Sequence, residues 1–270
     1  MSDPAGLSIE DLTLSIDGRS ILDGVDLEVA PGRITGLAGE SGSGKTLTGM
    51  SIIGLPPERA VLGGAIRYGG ANLLELGDKK RNALRGAQIA MVFQDPAASL
   101  HPMMSIGTQL TDHVRYHLRL SRSGARERLV DLLRQVRVPD PEGALRKYPH
   151  QFSGGQLQRI AIAGAIACEP KVLVADEPTT ALDVTVQAGI LHLLRGLCDN
   201  LGLTIVLITH DLGVMSALAD QIAVMRHGKV VEFGNRADVI QRPAHPYTRS
   251  LIDALPDRVA AASLAAKEVG

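Results

Sequence analysis

The sequence predicts an α/β fold in which a parallel β-sheet is covered by helices on both faces. Three observations carry that prediction. Short segments at about 33–38, 88–93, 171–175 and 204–209 are almost wholly apolar, the mark of strands buried on both sides. Helical patterns separate the later ones, so strands and helices alternate. The first of these strands runs straight into a glycine-rich loop and then a helix.

The first thirty residues read differently. Leu12, Leu14 and Ile16 alternate, Asp17-Gly18 makes a turn, and Ile21, Val25, Leu27 and Val29 follow, so an N-terminal antiparallel β subdomain is expected. Pro31-Gly32 is a second turn, before the strand at 33–38 and a helix at about 45–54. The stretch from about 105 to 147 is helical in pattern, with Leu129, Leu132, Leu133 and Val136 spaced three and four apart. Ser153 opens an apolar helix running to about Cys168, and another spans about 184–200. There is no internal repeat and no low-complexity segment. After Pro256 the chain turns alanine-rich and is expected to fray.

Composition bounds the function. At about 150 residues per domain, 270 residues give one or two domains, with 45% apolar and 21% charged residues, as in ordinary globular proteins. Aromatic residues are only 3%, with no Trp, which argues against binding platforms built from several aromatic faces. A net charge of -1 gives no general pull toward nucleic acid or an acidic membrane. The two cysteines, Cys168 and Cys198, cannot form a disulfide framework or a four-ligand zinc site, and their apolar settings predict reduced, buried thiols. No signal peptide is expected, and the longest nearly apolar run, 160–168, is half a membrane span. A soluble cytoplasmic protein follows by default.

Three motifs carry chemistry. Gly39-Glu40-Ser41-Gly42-Ser43-Gly44-Lys45-Thr46 is a complete G-x-x-x-x-G-K-[ST]. Its glycines let backbone N–H groups turn inward around a phosphate chain at a helix N-terminus. Lys45 can reach the β- and γ-phosphates and the Thr46 hydroxyl can ligate Mg²⁺. Asp176 and Glu177 end the strand at 171–175, where a parallel sheet presents ligand groups. Asp176 should hold the Mg²⁺ shell and Glu177 polarise an attacking water. Ser153-Gly154-Gly155-Gln156 reads as an S-x-x-Q capping box, and its two glycines as an anion-binding nest. A second phosphate-grasping element suggests a nucleotide held between two subunits.

With Gln94 after a strand, Ala181-Leu182-Asp183 and Thr209-His210-Asp211, these motifs in this order resemble an ABC transporter ATPase subunit, from about residue 7 to 256. The resemblance implies a P-loop NTPase cassette: a RecA-like parallel sheet core with an N-terminal antiparallel β subdomain, a helical subdomain at about 95–160, and a tail at 257–270. It also implies that Gln94 senses Mg²⁺ and the transmembrane partner, and that Thr46, Gln94 and Asp176 hold the metal. Ser153, Gly154, Gly155 and Gln156 would close on the ATP of the opposite subunit, Asp183 would couple the two sites, and His210 would contact the γ-phosphate. Lys45, Glu177 and His210 are then the catalytic set. The implied partners are a second ATPase subunit, two transmembrane permease subunits and, indirectly, an extracytoplasmic binding protein, with the chain peripheral on the cytoplasmic face of the bacterial inner membrane.

Finer phrases narrow the family. Gln94-Asp95-Pro96-Ala97-Ala98-Ser99-Leu100-His101-Pro102 is similar to the QDPxxSLNP stretch of dipeptide, oligopeptide and nickel importers. The run from Ala175 to Thr185 looks like the first of their two paired ATPases, and Arg242 to Arg249 resembles their HPYT element. There are departures. His101 stands where the family has Asn. Ile16 falls where relatives stack an aromatic ring on adenine, a contact worth about 1–3 kcal/mol per base for aromatic residues, so weaker ATP binding or another residue on the base is expected. No cysteine follows Cys198, which excludes the iron–sulfur cluster of many peptide-type subunits, and the short tail looks more like the nickel type.

The same residues argue against other classes. A nucleic-acid-associated ABC protein would carry tandem cassettes, long coiled coils or zinc cysteines, none of which is here. A scaffold ATPase of cluster assembly fits neither the QDPAASLHP phrase nor the HPYTR one. Arg115, Arg119, Arg122, Arg126, Arg128, Arg134 and Arg137 could suggest nucleic acid or lipid, but Asp112, Glu127 and Asp131 interrupt them, so a solvated helix face is expected.

Overall fold

A computed structural model describes residues 6–255 of the chain. Along it run β1 (Leu7–Ile16), β2 (Arg19–Val29), β3 (Ile34–Ala38), α1 (Lys45–Ile52), β4 (Ala60–Tyr68), β5 (Ala71–Asn72), α2 (Asp78–Leu84) and β6 (Ile89–Val92). Then come α3 (Ile106–Leu118), α4 (Arg122–Gln135), α5 (Pro141–Ala144), α6 (Gly154–Ile166), β7 (Val172–Asp176), α7 (Val184–Leu201) and β8 (Thr204–Ile208). The last are α8 (Leu212–Leu218), β9 (Gln221–Arg226), β10 (Lys229–Asn235), α9 (Arg236–Gln241) and α10 (Pro246–Asp253). The tail expected at 257–270, and its fraying, lie outside the described residues. The chain forms two compact units, one of Gly6–Leu74 with 207–255 and one of Glu75–Val206, so the boundary falls inside β8.

In the first unit, β2-β1-β4-β5 form a four-stranded antiparallel sheet. The turn between β1 and β2 has Asp17 at φ +48° and Gly18 at φ +79°, the two positive values that Asp-Gly is chosen for in a two-residue hairpin. The alternating apolar residues Leu12, Leu14, Leu22 and Val25 are all buried. The expected hairpin is therefore present, extended by β4 and β5, which the sequence reading did not anticipate. The unit's second set of strands runs β10-β9-β3-β8. β3 is buried at every position and pairs parallel with β9. β9 pairs antiparallel with β10 through a turn at His227 (φ +49°) and Gly228 (φ +79°). This edge corrects an all-parallel expectation. A two-residue hairpin returns the chain antiparallel, which a crossover helix would not do. Asp220 fixes the β3–β9 register by accepting the Ile34 N–H at 2.8 Å.

In the second unit, β6 and β7 pair in parallel and β8 lies beside β7. β7 and β8 are buried along their whole lengths, as their unbroken apolar runs predict. The helical stretch expected at 105–147 resolves into three helices, interrupted by positive φ at Arg119, Arg137 and Asp140. Ser105 and Ser121 cap α3 and α4, each accepting a backbone N–H from three residues on. Leu129 and Leu133 of α4 are fully buried, with Val136 just beyond. Of the arginines on this stretch, Arg115 pairs with Asp112, Arg128 with Glu169, and Arg134 with Asp131 and Glu142, as a solvated face of mixed charge should. Cys168 and Cys198 are free and buried, and burial pushes the Cys168 thiol up to about 11. Among the described residues, no helix is long and apolar enough to cross a membrane.

Candidate functional site

The loop between β3 and α1 owes its shape to glycine. Gly39, Gly42 and Gly44 have φ of +147°, +80° and +106°, a region that side-chain-bearing residues rarely enter. Space is also short: a Cβ on Gly39 would sit 2.3 Å from the Met225 carbonyl oxygen, and one on Gly44 would sit 2.5 Å from a Leu22 methyl. Ser43 N–H donates to the Glu40 carbonyl at 3.2 Å, and the Ser43 carbonyl accepts Gly228 N–H at 3.0 Å, which ties the loop to the β9–β10 turn.

Lys45 is the first residue of α1 and only 7% exposed. Its ammonium donates to the carbonyl oxygens of Gly39 (2.7 Å) and Glu40 (2.8 Å) and to Ser43 Oγ at 3.5 Å, so the charge lies folded over the loop. No side chain caps α1, whose N-cap is Gly44 itself. A cation and a helix N-terminus meeting in one glycine-shaped loop is what an anionic phosphate chain requires. Thr46 is exposed on the first turn of α1. Ile16 is half-buried at the end of β1, paired with Arg19 and Ala60.

The same unit holds His210. Thr209 N–H donates to the Leu37 carbonyl at 3.3 Å, placing the end of β8 beside the strand that leads into the loop. His210 follows, exposed, and Asp211 caps α8 through the N–H groups of Gly213 and Val214.

The second unit holds Gln94, Ser153–Gln156, Asp176, Glu177 and Asp183. Asp176 is the last residue of β7 and 2% exposed, and Glu177 follows at 9%. Glu177 takes φ +46° and accepts a hydrogen bond from Thr180 Oγ1 at 2.9 Å. A non-glycine residue held in the left-handed region costs on the order of 1–3 kcal/mol, and such strain gathers at functional sites. Gln94 is exposed two residues past β6.

Ser153 is the N-cap of α6, and the capping box expected from S-x-x-Q is present. Ser153 Oγ accepts Gln156 N–H, and Gln156 Oε1 accepts Ser153 N–H at 3.1 Å. The nest expected from Gly154 and Gly155 is not: both are helical residues without positive φ, so they lack the alternation a nest needs. The structure gives Gly155 another reason, since a Cβ there would lie 2.5 Å from Val186 Cγ1. The start of α6 thus packs against the start of α7, where Asp183 is the N-cap and accepts Val186 N–H at 2.9 Å.

Among the described residues, no three His, Cys, Asp or Glu side chains are grouped to hold a metal. The donors singled out for Mg²⁺, Thr46, Gln94 and Asp176, are all hard oxygens. Mg²⁺ takes few protein ligands of this kind and completes its shell with phosphate and water, so Thr46 in the first unit and Gln94 and Asp176 in the second each have the donor chemistry for it.

Residues 22–180 match the family model described as ABC transporter, and residues 231–268 match that of the oligopeptide/dipeptide transporter C-terminal region. The chain belongs to the ABC transporter family. As a member of it, the protein binds ATP and is an ATPase of a transport system. It is 45% identical over 258 residues to a probable peptide ABC transporter ATP-binding protein of Sinorhizobium fredii, covering 93% of this chain and 77% of that one. It is also 44% identical to the dipeptide transport ATP-binding protein DppD of Bacillus subtilis, covering 93% and 76%. Among solved structures, it is similar to the ATP-binding cassette MJ0796 in a dimeric post-hydrolysis state bound to ADP and Pi, with a TM-score of 0.76 and 27% identity over 85% of this chain and 98% of that one. It is likewise similar to cbiO1 of Clostridium perfringens, with a TM-score of 0.75 and 29% identity over 94% and 96%.

One contact to this ABC ATPase's loop was not expected from the sequence. The Glu40 N–H donates to the hydroxyl of Tyr247 in α10 at 3.1 Å. The HPYT phrase flagged that segment, but only as a family mark.

Proposed function

We propose that this chain is the motor subunit of an ABC importer for peptides, with residues 7–256 acting as one cassette. The relatives reported above are named for peptides and dipeptides, none for nickel, and a peptide-transporter C-terminal region matches in addition to the ATPase. The observation that carries the ATPase half is the preformed loop, with Lys45 buried over it.

ATP places its phosphates in Gly39–Thr46, with Glu40, Ser41, Gly42 and Ser43 forming the loop wall, Gly44 opening the helix and Lys45 countering the β- and γ-phosphate charge. When bound, Mg²⁺ spreads the charge that develops on the phosphates, and Thr46, Gln94 and Asp176 are its protein donors. Glu177 takes the proton of the attacking water, and His210 contacts the γ-phosphate. Ile16 packs on the base without the stacking contribution of a ring. The Ser153–Gln156 segment serves the nucleotide of a second ATPase subunit, with Asp183 linking the two sites, and Gln94 reports to two permease subunits. The chain sits at the cytoplasmic face of the membrane, and an extracytoplasmic binding protein delivers the cargo.

Glu177→Gln is the direct test. It keeps the shape of the side chain and removes its basicity. Steady-state ATP hydrolysis should fall about 10²- to 10⁴-fold, with ATP affinity unchanged and a nucleotide-trapped dimer detectable by size exclusion. Near-normal turnover would remove Glu177 from the role of base. Co-purification with permease subunits tests the transport half; a chain that instead co-purifies with ribosomes or DNA sinks it.

A further inference from the structure

The C-terminal helix touches the phosphate loop through one side chain. Tyr247 is 5% exposed, and burial raises its phenol above the usual value of 10.0, so it stays a neutral hydroxyl. The oxygen accepts the Glu40 N–H at 3.1 Å. On its other side, the Glu40 residue presents its carbonyl to Lys45 Nζ at 2.8 Å. A single residue of the loop is thus gripped at its N–H by Tyr247 while its C=O grips the lysine, so the orientation of Glu40 is common to both.

The tyrosine is itself held. The Arg226 guanidinium lies 4.6 Å from its ring centroid, at cation–π distance. Arg226 follows Met225, whose carbonyl backs Gly39 at the start of the same loop. The approach to α10 is pinned by Glu232 of β10, which accepts the N–H groups of Ala244 at 2.8 Å and His245 at 3.0 Å. His245 Nδ1 in turn accepts the Tyr247 N–H at 3.1 Å. Every one of these contacts lies within the first unit. A peripheral helix needs no hydroxyl on the loop merely to pack, because the Tyr247 ring already has its cover in Arg226.

We propose that Tyr247 is a positioning residue for nucleotide binding: through Glu40 it sets the poise of Lys45, so ATP affinity depends on how the C-terminal helix is seated. This rests on the reading that the Gly39–Thr46 loop binds the phosphates of ATP.

Tyr247→Phe in the full chain keeps the ring and its Arg226 contact and removes only the hydroxyl, and with it both its hydrogen bonds to Glu40, one to the N–H and one to the side chain. The Kd for ATP, from a fluorescent-nucleotide titration, and the KM for hydrolysis should both rise about three- to tenfold, the weight of the hydrogen bond to the N–H, while kcat stays within about twofold. Glu232→Ala, which frees the approach to α10 and leaves the hydroxyl in place, should move Kd in the same direction. Unchanged ATP affinity in Tyr247→Phe overturns the proposal, as does a fall in kcat with KM unaltered. Lys45→Ala separates the two claims. If it loses ATP binding while Tyr247→Phe does not, only the positioning role fails; if it binds ATP normally, the reading of the loop fails.

Discussion

The Gly39–Thr46 loop and the Ser153–Gln156 segment are both short, glycine-containing starts of helices, yet they use glycine for opposite purposes. In the loop the glycines are conformational: three positive φ values wind the backbone into a shape that brings a buried lysine over it. In the segment the glycines are ordinary helical residues, and their smallness is what counts, since Val186 stands where a Gly155 side chain would go. The loop's hydrogen bonds converge on its own ammonium group. The segment satisfies itself with a two-bond capping box and leaves Ser153 and Gly154 exposed. One element is wound around its own cation, while the other is a capped helix start with two exposed residues.

Lys45→Ala should separate the two most sharply. It removes the charge the loop is wound around and changes no residue of the segment. With charge-assisted hydrogen bonds worth about 1.5–3 kcal/mol, ATP affinity should fall about 10- to 150-fold in an equilibrium titration. Wild-type affinity in that variant would mean that this loop is not where the phosphates bind.

A pair of glycine substitutions probes the same contrast at the backbone. Gly44→Ala forces a side chain into φ +106° and against Leu22. The combined strain and overpacking should cost about 2–4 kcal/mol. Gly154→Ala keeps helical φ, and its Cβ would meet only Leu182 Cδ2 at 3.5 Å, an ordinary contact. That change should be neutral to within about 1 kcal/mol. Equal losses of stability in urea unfolding would mean that the two glycines are not used differently.

What the sequence made legible was local. Asp17-Gly18, the Ser153/Gln156 box, the all-buried strands β3, β7 and β8 and the phosphate loop each follow from residues a few positions apart, whose chemistry dictates one backbone shape. What it hid was long-range. Tyr247 meets Glu40 across 207 positions, and no periodicity or propensity encodes that partner. The β9–β10 hairpin left a fainter signal, the His227-Gly228 turn, between a strand buried on both faces and a half-exposed edge strand. Gly154 and Gly155 misled for a physical reason. Glycine pairs serve both nests and close helix packing, and the helical φ of both residues and the position of Val186 tell them apart.

The smallest expected effect concerns the far end of α6, the helix that the Ser153–Gln156 segment begins. Just beyond it Cys168 Sγ lies 3.5 Å from His113 Nε2, and the His113 ring meets His117 edge-on at 5.0 Å. Burial, reinforced by the neighbouring His117, pulls His113 below the usual 6.5, and burial alone does the same for His117. Both rings therefore take up protons more readily in the unfolded chain than in the folded one. Between the lowered folded value and 6.5 the unfolded state binds more protons, so stability rises with pH through that window and is level above it. Acidifying from pH 7.5 to 5.5 should lower the urea midpoint, and His113→Gln should flatten that slope. A His113→Gln variant with the wild-type pH slope would place the acid sensitivity elsewhere.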